Sequence, residues 1–144
     1  MVDRQLPHLT QRLRALIEAL QAAQVEVLIS PAIASLYPDT TAQIVDDPAI
    51  WEEEFLAMKI LIGLVDGLSP AIAKINRYSG GHSAVIVTEE TAAARTFMFE
   101  VDAAAVYHNA SSRFTDGGEF GLGAELAIST DKLHHRGPLG VEHL

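Results

Sequence analysis

The feature that most constrains the fold is an alternation of strand-like and helix-like segments between Val25 and His108. Strands that alternate with helices indicate βαβ units, because a parallel neighbour can be reached only through a crossover connection. We therefore predict an α/β fold in three layers, αβα, around a mostly parallel sheet. The candidate strands are Val25 to Ser30, Gln43 to Val45, Met58 to Val65, Ala84 to Val87 and Ala104 to His108.

Apolar spacing and capping signals place the helices. Leu9, Leu13, Leu16, Ile17 and Leu20 share one helical face and predict the first helix. Prolines and capping side chains predict further helices over Pro31 to Leu36, Asp47 to Glu54, Ser69 to Tyr78 and Thr88 to Val101. In the last of these, Glu89 and Glu90 are expected in the first turn, where the helix dipole favours acids. Met58 to Val65 is expected to be buried on both faces, because it is almost continuously apolar.

Composition narrows the functional classes. The chain has 144 residues, a length that suits one domain. Its net charge of -9 argues against nucleic-acid partners and against anionic membrane surfaces. With no apolar run long enough to span a bilayer and no secretory signal pattern at Met1 to Pro7, a cytoplasmic location is expected. The chain contains no cysteine, which excludes a disulfide, a thiolate metal site and a cysteine nucleophile within it.

A glycine-rich segment follows the last candidate strand. Ser111 to Gly123 contains four of the ten glycines and shows no helical period. A long glycine-rich loop after a strand is more often functional than idle, although a tight structural loop is the alternative. No metal site is expected elsewhere, because the adjacent pair His134 and His135 would point apart in regular structure.

Two stretches of sequence carry a family resemblance. Val106 to Gly140 reads VYHNASSRFTDGGEFGLGAELAISTDKLHHRGPLG, and Ala71 to Thr88 reads AIAKINRYSGGHSAVIVT. With a weaker block at Trp51 to Val65, they closely resemble the C-terminal part of the γ-glutamyl phosphate reductases (glutamate-5-semialdehyde dehydrogenases), members of the aldehyde dehydrogenase superfamily that act in proline biosynthesis. The resemblance covers essentially the whole chain and implies the later part of an aldehyde dehydrogenase catalytic domain. The chain departs from the family pattern at Ala57, Gly63, Lys74 and Ala84.

The resemblance also implies a reaction. Family members reduce L-γ-glutamyl 5-phosphate to L-glutamate 5-semialdehyde with NADPH and release phosphate. A cysteine thiolate attacks the acyl phosphate, and hydride then reduces the thioester, because a thiolate is both a good nucleophile and a good leaving group. The family carries that cysteine and a nucleotide-binding domain upstream of the segment that this chain resembles.

Residues 1–144 are therefore expected to form a single, partial catalytic domain without the nucleotide-binding domain or the nucleophile. No catalytic residue is assigned, and the chain alone is expected to be inactive and to bind no NADP(H). Like the family, it is expected to form a homo-oligomer. The alternative is a non-catalytic interaction module or pseudo-enzyme on the same fold.

Two candidate sites follow from the resemblance. Glu54 aligns with a glutamate that binds the nicotinamide ribose hydroxyls of the cofactor; the alternative is a solvated acidic helix face, since Glu52 and Glu53 adjoin it. The loop after the last strand aligns with a loop that binds the far end of the substrate, through Arg113, Thr115, Asp116, Gly117 and Gly118. In this assignment Arg113 binds the glutamyl carboxylate, Asp116 takes the amino group, and glycine allows close backbone approach.

Overall fold

The computed structural model describes residues 1–115, 118, 119, 121, 128–132, 136, 137 and 141. The chain divides into two compact units, one over Met1–Ala71 and the other over Ile72–Leu144. Each unit is built around parallel strand pairs.

The first unit centres on the strand β2. Strand β2 lies between β3 and β4, with Val27 opposite Ile60 and Ile29 opposite both Ile44 and Ile62. A separate short pair joins β1 to β5. The elements of this unit in chain order are β1 (Val2–Asp3), α1 (Leu9–Ala22), β2 (Glu26–Ile29), α2 (Pro31–Ala34), β3 (Gln43–Ile44), a 3₁₀ helix (Pro48–Glu52), β4 (Lys59–Ile62) and β5 (Leu64–Val65).

The core of the first unit forms between α1 and the strands. Leu13 and Ile17 of α1 are fully buried, as the predicted apolar face requires, while Leu16 at the edge of that face is 43% exposed. They belong to one cluster with Val27 and Ile29 of β2. Burial of such side chains contributes about 1.5–3 kcal/mol each, so this cluster stabilises the unit.

The second unit is built on the strand pair β6–β7. Its elements are α3 (Leu68–Tyr78, which begins in the preceding unit), β6 (Ser83–Ile86), α4 (Thr91–Glu100), β7 (Ala105–His108) and a 3₁₀ helix (Ser112–Phe114). Strand β6 runs parallel to β7 over its full length, from Ser83 opposite Ala105 to Ile86 opposite His108. Helix α4 contacts β7 and buries Ala94 and Phe97.

Two side chains of this unit, Asn76 and Asp102, make contacts around the end of α4. Asn76 of α3 donates from Nδ2 to the carbonyl of Glu100 at 2.9 Å and accepts from the N–H of Asp102 at 2.8 Å, so it caps the end of α4. The Asp102 carboxylate pairs with Lys132 at 2.5 Å and with Arg136 at 3.3 Å. The hydrogen bond from Lys132, reinforced by the Arg136 guanidinium, holds the pKa of Asp102 below its ordinary value.

These elements confirm the predicted α/β class with parallel strands: every strand pair in the described ranges is parallel. Strand β1 was not predicted. Its two residues pair with β5, and the N–H of Val2 donates to the carbonyl of Gly63, the residue before β5, at 2.8 Å. So short a segment has no readable period.

The predicted strand Met58 to Val65 and the predicted helix Asp47 to Glu54 are different in the structure. The apolar run Met58 to Val65 divides at Gly63 into β4 and β5, and it is not buried on both faces, since Ile60 is 38% exposed. Asp47 does cap the following segment, accepting from the N–H of Ala49 at 2.9 Å. That segment is only a 3₁₀ helix ending at Glu52, so Glu54 is not helical.

The start of α4 is also different. The prediction of a helix capped by Thr88, with Glu89 and Glu90 in its first turn, is wrong, because α4 begins at Thr91 after Glu90. The Thr88 hydroxyl instead accepts from the N–H of Glu90 at 3.1 Å. Both backbone groups of Thr88 bond to Asn109, which keeps this residue out of the helix.

Candidate functional site

The carboxyl ends of β6 and β7 are joined by the side chain of Asn109. Its Nδ2 donates to the carbonyl of Thr88 at 2.9 Å, and its Oδ1 accepts from the N–H of Thr88 at 3.0 Å. The backbone N–H of Asn109 continues the ladder, donating to the carbonyl of Ile86 at 2.9 Å. The backbone then leaves the extended conformation of the strand, because Asn109 has a left-handed conformation with φ of 51°, which asparagine tolerates better than most residues.

The side chain of His108 also bonds to Thr88. Its Nε2 lies 2.9 Å from the carbonyl oxygen of Thr88. A carbonyl can only accept, so this contact requires the proton on Nε2. The Thr88 carbonyl thus receives two side-chain donors from the end of β7, and the imidazole bonds to the segment that follows β6.

Beyond Asn109 the chain forms a short turn that carries Arg113. The Ser111 side chain opens this turn by accepting from the N–H of Arg113 at 3.2 Å, and the N–H of Phe114 donates to the carbonyl of Ser111 at 3.1 Å. The resulting 3₁₀ helix contacts both β6 and β7. A small polar residue before a tight helical turn is the usual capping arrangement, so Ser111 determines where Arg113 sits in the turn.

The turn is closed by a contact between two hydroxyl groups. The Thr115 Oγ1 lies 2.6 Å from the phenolic oxygen of Tyr107 on β7, a short O–H···O hydrogen bond. Both side chains are part-buried. The turn is therefore attached to the sheet after Arg113 as well as before it.

An open cavity of about 350 Å³ lies against this turn, lined by Ser111, Arg113, Phe114 and Glu119. Its lining combines a guanidinium, a carboxylate, a hydroxyl and an aromatic ring. Arg113 and Glu119 are not ion-paired with each other; the ion pairs among the described side chains involve other residues. A cavity with separated positive and negative groups is chemically suited to a small molecule that carries both a carboxylate and an ammonium group.

The predicted substrate-binding residues are distributed as follows. Arg113 lines the cavity, and Thr115 is engaged with Tyr107. Gly118 is exposed, and its carbonyl accepts from the N–H of Gly121 at 3.1 Å. Asp116 and Gly117 lie outside the described residues.

Glu54, the predicted cofactor-binding residue, belongs to the first unit, and the residues that line the cavity belong to the second. It is exposed in the segment between the 3₁₀ helix Pro48–Glu52 and β4, next to the exposed Glu53.

Sequence reasoning did not single out Glu119, Asn109 or Tyr107. Glu119 stands inside the glycine-rich segment and could have been chosen as an acid near Arg113. Asn109 and Tyr107 carry no such signal, since their partners depend on how strands distant in sequence are paired.

Known proteins with similar sequences are γ-glutamyl phosphate reductases. The chain is 46% identical to the γ-glutamyl phosphate reductase of Oceanobacillus iheyensis over 129 residues, which make up 90% of this chain and 30% of that protein. It is 42% identical to the reductase of Brucella suis over 144 residues, which cover 100% of this chain and 33% of that protein. The chain is a relative of the γ-glutamyl phosphate reductases. It spans about a third of their length.

A solved γ-glutamyl phosphate reductase has the same fold. The crystal structure of the Thermotoga maritima reductase matches 93% of this chain and 32% of its own, with a TM-score of 0.86 and 42% identity. The predicted resemblance to this reductase family is thereby confirmed. No protein-family model matches the chain.

None of the helices in the described part of the chain is both long and apolar enough to cross a membrane. The same residues contain no group of three or more His, Asp or Glu side chains that could hold a metal ion.

Proposed function

We propose that this chain is the substrate-recognition part of a γ-glutamyl phosphate reductase, the NADPH-dependent enzyme that converts L-glutamyl 5-phosphate to L-glutamate 5-semialdehyde in proline biosynthesis. The observation that carries the proposal is the position of Arg113. It lies on an anchored turn at a cavity that also contains a carboxylate, in a chain related to these reductases over nearly its whole length.

The loop recognises the charged end of the substrate. The glutamyl group carries one carboxylate and one ammonium, far from the acyl phosphate that reacts. The Arg113 guanidinium can bind the carboxylate through two parallel hydrogen bonds, a geometry that lysine cannot reproduce. Asp116 takes the ammonium, and Gly117 and Gly118 allow the backbone to approach the ligand closely. Thr115, the remaining residue of the predicted substrate-binding set, contributes by holding the loop through its contact with Tyr107.

Glu54 serves the cofactor. Its side chain is exposed, so both carboxylate oxygens can accept from the ribose hydroxyls of a nicotinamide nucleotide. NADPH, when bound in the complete enzyme, supplies the hydride. One exposed carboxylate is too little to hold a dinucleotide, so we propose that the nucleotide-binding groups come from another polypeptide region.

The chain by itself is inactive. It contains no cysteine, and reduction of an acyl phosphate by the family reaction needs a thiol that can form and release a thioester. No residue of the candidate site replaces that thiol. Activity therefore requires the remainder of a reductase, either in the same polypeptide or as a separate one.

Association with further protein is part of the proposal, including self-association into a homo-oligomer. Several large apolar side chains are exposed, among them Leu56 at 88%, Val87 at 83% and Phe99 at 91%. Exposed apolar groups favour association when they form patches. Light scattering should show species larger than a monomer, and a strictly monomeric chain at high concentration would contradict this part.

A chimera tests the proposal. The 129 matched residues of the Oceanobacillus iheyensis reductase are replaced by the corresponding residues of this chain, and NADP reduction is measured with glutamate semialdehyde and phosphate. We expect turnover by the chimera and none by the isolated chain. The unmodified relative is the positive control, and a chimera lacking its nucleophilic cysteine is the negative control.

Two results would contradict the proposal. Turnover by the isolated, purified chain would refute the claim that it is incomplete. A folded chimera without turnover would refute the claim that it is the recognition part of the reductase. Stable binding of the isolated chain to an unrelated protein would then favour the alternative, a non-catalytic interaction module.

A further inference from the structure

Two side-chain contacts hold the turn that carries Arg113, one on each side of it. Before the turn, Asn109 bonds to Thr88 at the end of β6. After the turn, Thr115 bonds to Tyr107 on β7. Between these attachments the backbone makes only the tight turn opened by Ser111.

The first contact extends the sheet by one residue without extending the strand. The ladder between β6 and β7 ends at Ile86 and His108. The primary amide of Asn109 then presents one donor and one acceptor to Thr88, as a peptide group of a longer strand would. The main chain is free to turn at Asn109 because its side chain, together with that of His108, satisfies the backbone groups of Thr88.

The second contact sets the return of the turn. Tyr107 and Thr115 are eight residues apart in sequence, and their hydroxyl oxygens are 2.6 Å apart. Since Tyr107 belongs to a paired strand, its ring gives Thr115 a fixed partner on the sheet. The Thr115 hydroxyl is engaged in this contact, which favours a role through Tyr107 over direct contact with a ligand.

We propose that Asn109 and Tyr107 are positioning residues for the recognition of the charged end of the substrate, because together they preorganise the turn that presents Arg113 to the cavity. This inference rests on the proposed function. A guanidinium that is already held in place loses less conformational freedom when it binds a carboxylate. Loosening either contact should therefore weaken binding of the carboxylate without altering the groups that react.

The anchoring is tested on the chain itself. Tyr107→Phe and Thr115→Val each remove one hydroxyl, and Asn109→Gly removes the amide while allowing the left-handed backbone. Amide hydrogen exchange at Arg113 and Phe114 should become roughly fivefold faster in each variant, in proportion to the loss of one hydrogen bond. Exchange at Leu13 and Val27 should not change, and the control Tyr78→Phe should leave all four amides unaffected.

The functional role is tested in the chimera described above. Tyr107→Phe should raise the KM for glutamate semialdehyde about fivefold with kcat unchanged, and should leave the KM for a simple aliphatic aldehyde unchanged. The double variant Tyr107→Phe with Thr115→Val should resemble either single one, because both remove the same contact. Asn109→Asp keeps the acceptor for Thr88 and loses the donor, so its KM should rise as well.

The proposed function and the positioning role of Asn109 and Tyr107 can be refuted independently. If the chimera with the natural residues shows no turnover, the proposed function is wrong, and hydrogen exchange still reports whether the turn is anchored. If the chimera turns over and Tyr107→Phe changes neither exchange at Arg113 nor the KM, this inference is overturned. Equal loss of activity toward both aldehydes would also overturn it, since that result indicates a general effect on folding.

Discussion

The indole ring of Trp51 lies directly on Gly63. A Cβ atom built on Gly63 would be 2.5 Å from Cη2 of Trp51 and 2.8 Å from Cζ2, both well inside van der Waals contact. Gly63 is also the residue that separates β4 from β5, and its carbonyl accepts from the N–H of Val2 at 2.8 Å. The absence of a side chain at Gly63 therefore makes room for the indole.

Gly63→Ala should destabilise the protein by about 1–3 kcal/mol, because the new methyl group must displace the indole or the strand. Urea unfolding measures the effect. The same substitution made in a Trp51→Leu background should be much less destabilising, since Leu lacks the atoms in conflict. An equal loss in both backgrounds would show that Trp51 is not the obstacle.

Arg113→Ala in the chimera should reduce kcat/KM for glutamate semialdehyde roughly tenfold to a hundredfold more than for a simple aldehyde. The loss of a charge-assisted pair costs about 1.5–3 kcal/mol and concerns only the substrate that carries a carboxylate. Arg113→Lys should recover part of the loss, since the charge is retained but not the two-point geometry. Arg95→Ala, an exposed arginine of α4, is the control. An equal reduction with both substrates would identify the loop as structural.

Glu54→Gln should impair cofactor use with both substrates by the same factor, through a higher KM for NADP. A neutral amide is a weaker acceptor for ribose hydroxyls than a carboxylate, so a reduction of about tenfold is expected. Glu53→Gln is the matched control, because it removes the neighbouring exposed charge. If the two variants behave alike, Glu54 is part of a solvated acidic surface.

The ion pairs of Asp102 predict that the stability of the fold depends on pH. Its pKa is lowered by the hydrogen bond from Lys132 and then by Arg136, from an ordinary value of 3.8. Since the native pKa lies below the unfolded one, these pairs stabilise the fold above about pH 4. This stabilisation is lost as pH falls through the native pKa.

Titration of the carboxyl groups followed by NMR measures the pKa of Asp102 directly. The pKa of Asp102 should rise toward 3.8 in Lys132→Ala, and high salt should have the same effect because the pair is exposed to solvent. The wild type should lose more stability than Lys132→Ala between pH 6 and pH 3. An Asp102 pKa that is the same in both proteins would contradict the assignment.

Local sequence signals were reliable where one element's own residues decide its structure. The apolar spacing in α1 predicted the buried Leu13 and Ile17, and the Asp47–Pro48 pair predicted a cap that the structure contains. The prediction for Thr88 was wrong because its partner is 21 residues away in sequence. The competing contact of Thr88 with Asn109 cannot be read from the segment that contains Thr88.

The sequence by itself determined the α/β class, the parallel pairing, the resemblance to a reductase family and the loop that contains Arg113. These follow from periodicity, capping and a continuous motif, all of which are local. The tertiary structure alone decided that Asn109 bonds to Thr88, that Tyr107 holds Thr115 and that Glu119 shares a cavity with Arg113. The physical reason is that strand register brings distant residues together, and hydrogen bonds form only between the groups that it places within about 3 Å.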